Sequence, residues 1–269
     1  MGPRADAHGG VHASIKRLTR AIREHPDSAR LYLLRGQYYF IDEDMERAYT
    51  DYRTALDLKP NLYEANLLMG QVLIKRKKYP QALSHLNAYL MHRPKDTNAW
   101  VARAETYVQM NKISNALEDY LLAIRSSSHP KPDYFLRCSE LTLREDPDNF
   151  KEAITWLNIG KAHLNFNVVI SKKIIDIALR TAHYDAAIEE TEDVMKHLDR
   201  KEKWLYEMAE IYQRKGDYDC AKNYSFQTLH AIEQLPLRLQ KTHKIQRLKE
   251  QTQLLLQTIH SKNSIHHQD

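Results

Sequence analysis

The strongest constraint on this chain is a period of 34 residues. Ala48, Ala82, Ala116, Ala153, Ala187 and Ala221 each follow a polar turn, at spacings of 34, 34, 37, 34 and 34. A second column, Gly36, Gly70, Ala104, Cys138, Ile175 and Ala209, runs at 34, 34, 34, 37 and 34. Pro26, Pro60 and Pro94 repeat at 34 as well. Three columns with one period define a repeat array. A single repeat cannot bury its own apolar face, so stability must come from stacking neighbour on neighbour.

Each period reads as two helices. Ala29–Ile41 is one apolar-periodic segment, Asp42-Glu43-Asp44 is a polar turn, and Met45–Leu58 is a second segment stopped before Lys59-Pro60. Proline lacks an N–H and pushes its predecessor out of the helical region, so it separates unit from unit. Tyr, Leu and Ala dominate the segments and strand-like alternation is absent, which predicts an all-α chain. Composition closes many catalytic routes. The 7 Gly of 269 residues form no GxGxxG or GxSxG pattern, and Gly160-Lys161 lacks the rest of a phosphate-binding loop. There is no HExxH and no CxxC, and two cysteines cannot staple a chain of this length. No apolar run reaches the ~18 residues of a membrane span. The expectation is a non-catalytic protein without cofactor or metal.

Counting Ala29 as position 1, the first unit carries Tyr32, Gly36, Tyr39, Ala48, Tyr52, Ala55 and Pro60 at positions 4, 8, 11, 20, 24, 27 and 32. The third shows Trp100, Ala104, Tyr107, Ala116, Tyr120 and Ala123 in the same places. These columns resemble the tetratricopeptide repeat, a helix–turn–helix unit. The resemblance implies a right-handed α-solenoid in which positions 8, 20 and 27 are small because helices cross closely there. It sets the organisation as a flexible tail over 1–10, a superhelix over 11–236, a capping helix over 237–260 and a flexible tail over 261–269. The superhelix comprises a half repeat, Val11–His25, and six units beginning near Ala29, Tyr63, Thr97, Lys131, Val168 and Glu202. The three surplus residues of the fourth unit fall between Cys138 and Ala153 and are assigned to the turn at Glu145–Asp148. The fifth unit departs from the pattern at Ile175 and Thr191. With the linker-like Ser126–Pro132 stretch before them, these features predict a joint between two halves.

At 100° per residue, positions 4, 7, 8 and 11 share one side of the first helix, and positions 2, 5, 9, 12 and 13 share the other. In the resembled family the second set lines the hollow of the superhelix. Here it supplies Arg30, Leu33, Gln37 and Phe40, then Leu67, Gln71, Ile74 and Lys75, then Asn98, Val101, Glu105 and Val108. The later units supply Val169, Lys172, Asp176, Leu179 and Arg180, and then Lys203, Tyr206, Glu210, Gln213 and Arg214. Apolar side chains beside amides and carboxylates suit an extended or helical peptide, whose backbone needs hydrogen-bond partners. The expected function is therefore a protein-interaction scaffold with its groove on units one to three. The family's clamp for a C-terminal carboxylate needs Lys, Asn and Arg where this chain has Leu33, Gln37, Leu68, Asn98 and Ala102, so chaperone-tail binding by that device is not expected.

The formal charge is +5, with basic clusters at Lys75–Lys78 and across Arg238, Lys241, Lys244, Arg247 and Lys249. Elsewhere acids and bases interleave, as on a solvated helical surface. The clusters leave a nucleic-acid binder as an alternative. Ala5-Asp6-Ala7 fits the small-x-small pattern of a signal cleavage site, so a cytoplasmic location stands beside an exported, periplasmic one, with an accessory or metal-handling role. His8, His12, His266 and His267 lack thiols or a carboxylate framework and read as ordinary terminal residues.

Overall fold

A computed structural model describes the backbone of residues 4–266 and the side chains of residues 10–261. All regular structure among the described residues is helical. The six expected hairpins are present: α2 (Ala29–Ile41) with α3 (Met45–Leu58), α4 (Tyr63–Lys75) with α5 (Tyr79–His92), and α6 (Thr97–Gln109) with α7 (Ile113–Ser126). After them come α8 (Pro132–Glu145) with α9 (Phe150–Leu164), α10 (Val168–Arg180) with α11 (Tyr184–Lys196), and α12 (Glu202–Lys215) with α13 (Tyr218–Glu233). Helix α1 (Arg4–Glu24) packs on α2 as the leading half repeat, and it begins at Arg4 where the sequence suggests a tail up to residue 10. The chain forms two compact units, Met1–Pro130 and Lys131–Asp269, with the boundary inside the Ser126–Pro132 stretch.

The small columns sit where helices meet. Ala48, Ala82, Ala116, Ala153, Ala187 and Ala221 are all fully buried. A Cβ on Gly36 would lie 2.5 Å from Tyr52 Cε1, and one on Gly70 would lie 2.9 Å from Leu86 Cγ. Both are closer than carbon atoms can approach, so the crossing itself selects glycine.

Five of the inner turns end the first helix in one way. Glu43, Lys77, Asn111, Ala182 and Gly216 have φ of +62°, +58°, +56°, +57° and +88°. The next residue's N–H donates back to the carbonyl five positions earlier: Asp44 to Tyr39, Lys78 to Leu73, Lys112 to Tyr107, His183 to Ala178 and Asp217 to Tyr212, at 2.8–3.0 Å. This is the Schellman arrangement, which satisfies carbonyls the helix end leaves over. Asp44 and Asp217 then cap the following helix through the N–H groups of Arg47 and Cys220.

The fourth unit departs from this. Its first helix continues to Glu145, the position that is left-handed in the others, and Asp146 follows with an extended φ of −137°. Of the three surplus residues, two therefore lengthen α8 and one widens the turn, which corrects the placement of all three in the turn.

Units one and three share a polar clamp. The Arg35 guanidinium donates to both Asp51 carboxylate oxygens, at 2.8 and 2.7 Å, and to Thr19 Oγ1 on α1 at 3.1 Å. Arg103 repeats the geometry with Asp119, at 2.8 and 2.6 Å, and with Asn87 on α5 at 2.6 Å. Each guanidinium lies near two signature aromatics, Arg35 at 5.7 Å from Tyr32 and from Tyr39, and Arg103 at 4.6 Å from Trp100 and 5.9 Å from Tyr107. One side chain thus ties a hairpin together and ties it to the helix before it.

The end of the second unit differs from the single cap expected over 237–260. A short α14 (Leu237–Gln240) precedes α15 (His243–His266). The Gln240 amide turns back to donate to the carbonyls of Glu233 and Leu235, at 3.0 and 2.7 Å, and its own carbonyl accepts from the Gln246 side chain at 2.7 Å. Those bonds hold a break at Lys241–Thr242. Ile245, Leu248, Thr252, Leu255 and Ile259 form the buried stripe of α15, which closes against α12 and α13. The other faces of α15 are largely polar, as a terminal helix requires.

Candidate functional site

In the first unit the twelve residues assigned to the groove separate into three groups. Arg30, Lys75 and Asn98 are exposed, and Gln37, Phe40, Gln71, Ile74 and Val101 are partly buried. Leu33 and Val108 are only 4% and 3% exposed, so they pack beneath the face and offer no surface to a partner. Leu67 packs against the cluster of Tyr89, Leu90 and Ala99, and Glu105 accepts a hydrogen bond from the buried Tyr120 hydroxyl. Phe40 and Lys75 line one recess of about 480 Å³ together with Ile41, Glu43 and Met45. Ile41 is 57% exposed there, an apolar side chain left to solvent at the mouth of the recess.

In the second unit the same repeat positions converge more closely. Lys172, Asp176 and Leu179 of α10 face Glu210 and Arg214 of α12 across a recess of about 240 Å³, with Ile175, Glu207 and Ile211 completing it. That volume is below the ~300–1,000 Å³ of ordinary small-molecule sites and suits a single inserted side chain. Burial raises the Glu210 carboxyl above its ordinary value, against the hydrogen bond donated by Tyr206 Oη at 3.0 Å. The recess thus mixes an apolar floor with charges of both signs. The signature residues are cleanest in units one to three, but they report hairpin packing and not the opposite face of the helix.

The other features singled out in the sequence are accounted for locally. Arg76 of the basic turn pairs with Glu46 at 2.7 Å and covers the Tyr49 ring at 5.1 Å, while Lys75, Lys77 and Lys78 remain exposed. Cys138 is buried, and burial pushes its thiol up to about 12, so it is not a thiolate nucleophile. Among the described residues no group of three or more His, Cys, Asp or Glu is placed to hold a metal ion. The side chains of His8, His266 and His267 lie outside the described residues. No described helix is long and apolar enough to cross a membrane.

Comparison with known proteins decides the family. Three sequence models described as tetratricopeptide repeat match residues 1–63, 39–105 and 97–129. The chain belongs to the tetratricopeptide repeat family. The matched residues lie within the first unit. In the second, the left-handed turn column and the buried alanine column continue the same design. Among curated relatives, human Tetratricopeptide repeat protein 13 is 31% identical over 99 residues, 37% of this chain and 11% of that protein. The Hsp70-Hsp90 organizing protein of Triticum aestivum is 26% identical over 106 residues, 39% of this chain and 17% of that protein. The chain therefore aligns with a small part of the length of these relatives. Among solved structures, a tetratricopeptide repeat protein from Parabacteroides merdae superposes with a TM-score of 0.53 at 15% identity, covering 92% of this chain and 94% of its own. The structure of Naa15/Naa10 bound to HypK-THB gives 0.56 at 15% identity, over 91% of this chain and 36% of that one. Tetratricopeptide repeat proteins generally mediate protein–protein interaction and are typically non-catalytic scaffolds.

Proposed function

We propose that this tetratricopeptide repeat protein is a non-catalytic scaffold that holds an extended or helical segment of a partner protein along the exposed faces of its first helices. The observation that carries the reading is the recess between α10 and α12, where positions 5, 9 and 12 of one repeat meet positions 9 and 13 of the next. An apolar floor edged by carboxylates, a lysine and an arginine can take one side chain of a peptide and hydrogen-bond its backbone. The recess at Phe40, Ile41 and Lys75 offers the same combination in the first unit.

Partners captured from native lysate by the whole chain should be lost when Lys172→Glu is combined with Glu210→Lys, or when Gln37 and Gln71 both become Arg. They should be kept when exposed second-helix residues such as Arg53 and Gln227 become Ala. Equal capture by all three sets of variants would place binding elsewhere on the molecule.

A further inference from the structure

We propose that the cleft between the start of α12 and the start of α15 is a second docking site, for an acidic peptide segment that carries an apolar anchor residue. The cleft has a volume of about 800 Å³, against about 240 Å³ for the recess between α10 and α12. Leu239, partly exposed, and the largely buried Trp204 and Leu248 supply the apolar lining, and the rim carries Arg200, Lys203, His243, Lys244 and Arg247. Glu202 is the one carboxylate that lines it, and Arg200 already holds that group. Lys203 is engaged by Glu207 at 3.1 Å. Lys244 and Arg247 make no ion pair among the described residues, and both are exposed.

The placement of these cations carries a cost that the fold does not recover. Lys244 and Arg247 stand three residues apart on one helix, where like charges repel. They also lie in the opening turns of α15, where the helix dipole is positive and no acidic residue occupies the first turn. Arg238 and Lys241, exposed just before, extend the same potential. Carboxylates entering the cleft would relieve the repulsion, and the surrounding positive field would speed their approach.

The lining favours a peptide over a nucleic acid. Base stacking needs a free aromatic face. The Trp204 ring instead has Lys172 Nζ at 5.6 Å and Lys203 Nζ at 5.8 Å, and the indole is only 5% exposed. Leu239 and Leu248 offer a phosphate backbone nothing, but they match a Leu or Phe side chain between two acids.

The test uses the whole chain and fluorescence anisotropy with three labelled probes: a short peptide alternating Asp and Glu with Leu, its Asn/Gln counterpart, and single-stranded oligo(dT). The acidic peptide should bind. Lys244→Ala with Arg247→Ala should weaken it about tenfold or more, while Arg53→Ala with Lys151→Ala, the same charge loss at exposed residues outside the cleft, should change it by about twofold at most. The Gln37→Arg and Gln71→Arg variant should leave this binding unchanged, which separates the cleft from the first-helix face. No binding of the acidic peptide, equal binding of the Asn/Gln peptide, or equal loss in both charge pairs would overturn the proposal. So would tighter binding of oligo(dT) that depends on Lys244 and Arg247.

Discussion

Four of the five left-handed turn positions hold residues with a Cβ, namely Glu43, Lys77, Asn111 and Ala182. An L-residue there costs roughly 1–2 kcal/mol against glycine, and alanine has no side-chain polar group to offset it. Ala182→Gly should therefore raise stability by about 1 kcal/mol, read as a higher midpoint in urea. Gly216→Ala should lower it by a similar amount. No change in either would mean that the turns relax out of the left-handed region. Glu210 gives a pH-dependent counterpart. Burial, opposed by the Tyr206 hydrogen bond, holds its carboxyl above the ordinary 4.5 in the folded chain. The ionised group then costs stability at neutral pH, and the cost disappears as pH falls through the raised value toward 4.5. Glu210→Gln should be more stable than the parent at pH 7, with the difference shrinking toward pH 4.5 in thermal melts across that range.

At the scale of helices, the arginine clamps join elements that the apolar columns alone would leave free to slide. Asp51 and Asp119 are 4% and 2% exposed, so each carboxylate depends on its arginine. Removing one partner of a buried pair costs about 3–5 kcal/mol because the other charge is stranded, whereas replacing both with apolar residues costs far less. Arg103→Leu should fall in that range in equilibrium denaturation, and Arg103→Leu with Asp119→Leu should recover most of the loss. Equal losses in single and double variants would show that packing around Trp100 and Tyr107 matters more than the charge. The structure also constrains tests of the first-helix face. Glu105 holds the Tyr120 hydroxyl, so its removal strands a buried polar group and lowers stability as well as binding. Gln37 and Gln71 are the cleaner probes.

Across the whole chain, weakness gathers in the fourth and fifth repeats. The fourth inner turn lacks the left-handed cap, and the fifth repeat carries Ile175 where the others hold small residues or cysteine. Three of the four buried side-chain polar atoms found without a partner among the described residues, Ser139 Oγ, Trp156 Nε1 and Ser171 Oγ, also lie there. In a nearest-neighbour stack, opening begins where interfaces are poorest. Hydrogen exchange should show residues 131–198 opening at lower free energy than residues 29–125. Uniform protection across both segments would contradict this. Lys161, which spans from α9 to Glu190 and Asp193 of α11 at 2.8 and 3.0 Å, is the main polar tie within the weak region.

The period of 34 determined the helical class, the hairpins and the crossing points, because an alanine or glycine at a close crossing is dictated by distance alone. The same columns contained the clamps. Arg35 and Arg103 stand two periods apart, as do Asp51 and Asp119, and that spacing could have revealed them. Position counting also placed Lys172, Asp176, Leu179, Glu210 and Arg214 on one face. It did not show that they converge on one recess, or that Leu33 and Val108 are covered, since both depend on how closely adjacent hairpins approach. The split of three surplus residues between α8 and its turn, and the break before α15, were likewise settled in space. Alternative local hydrogen bonds, those of Gln240 above all, are within reach of either arrangement in sequence, and only the packed neighbours select one.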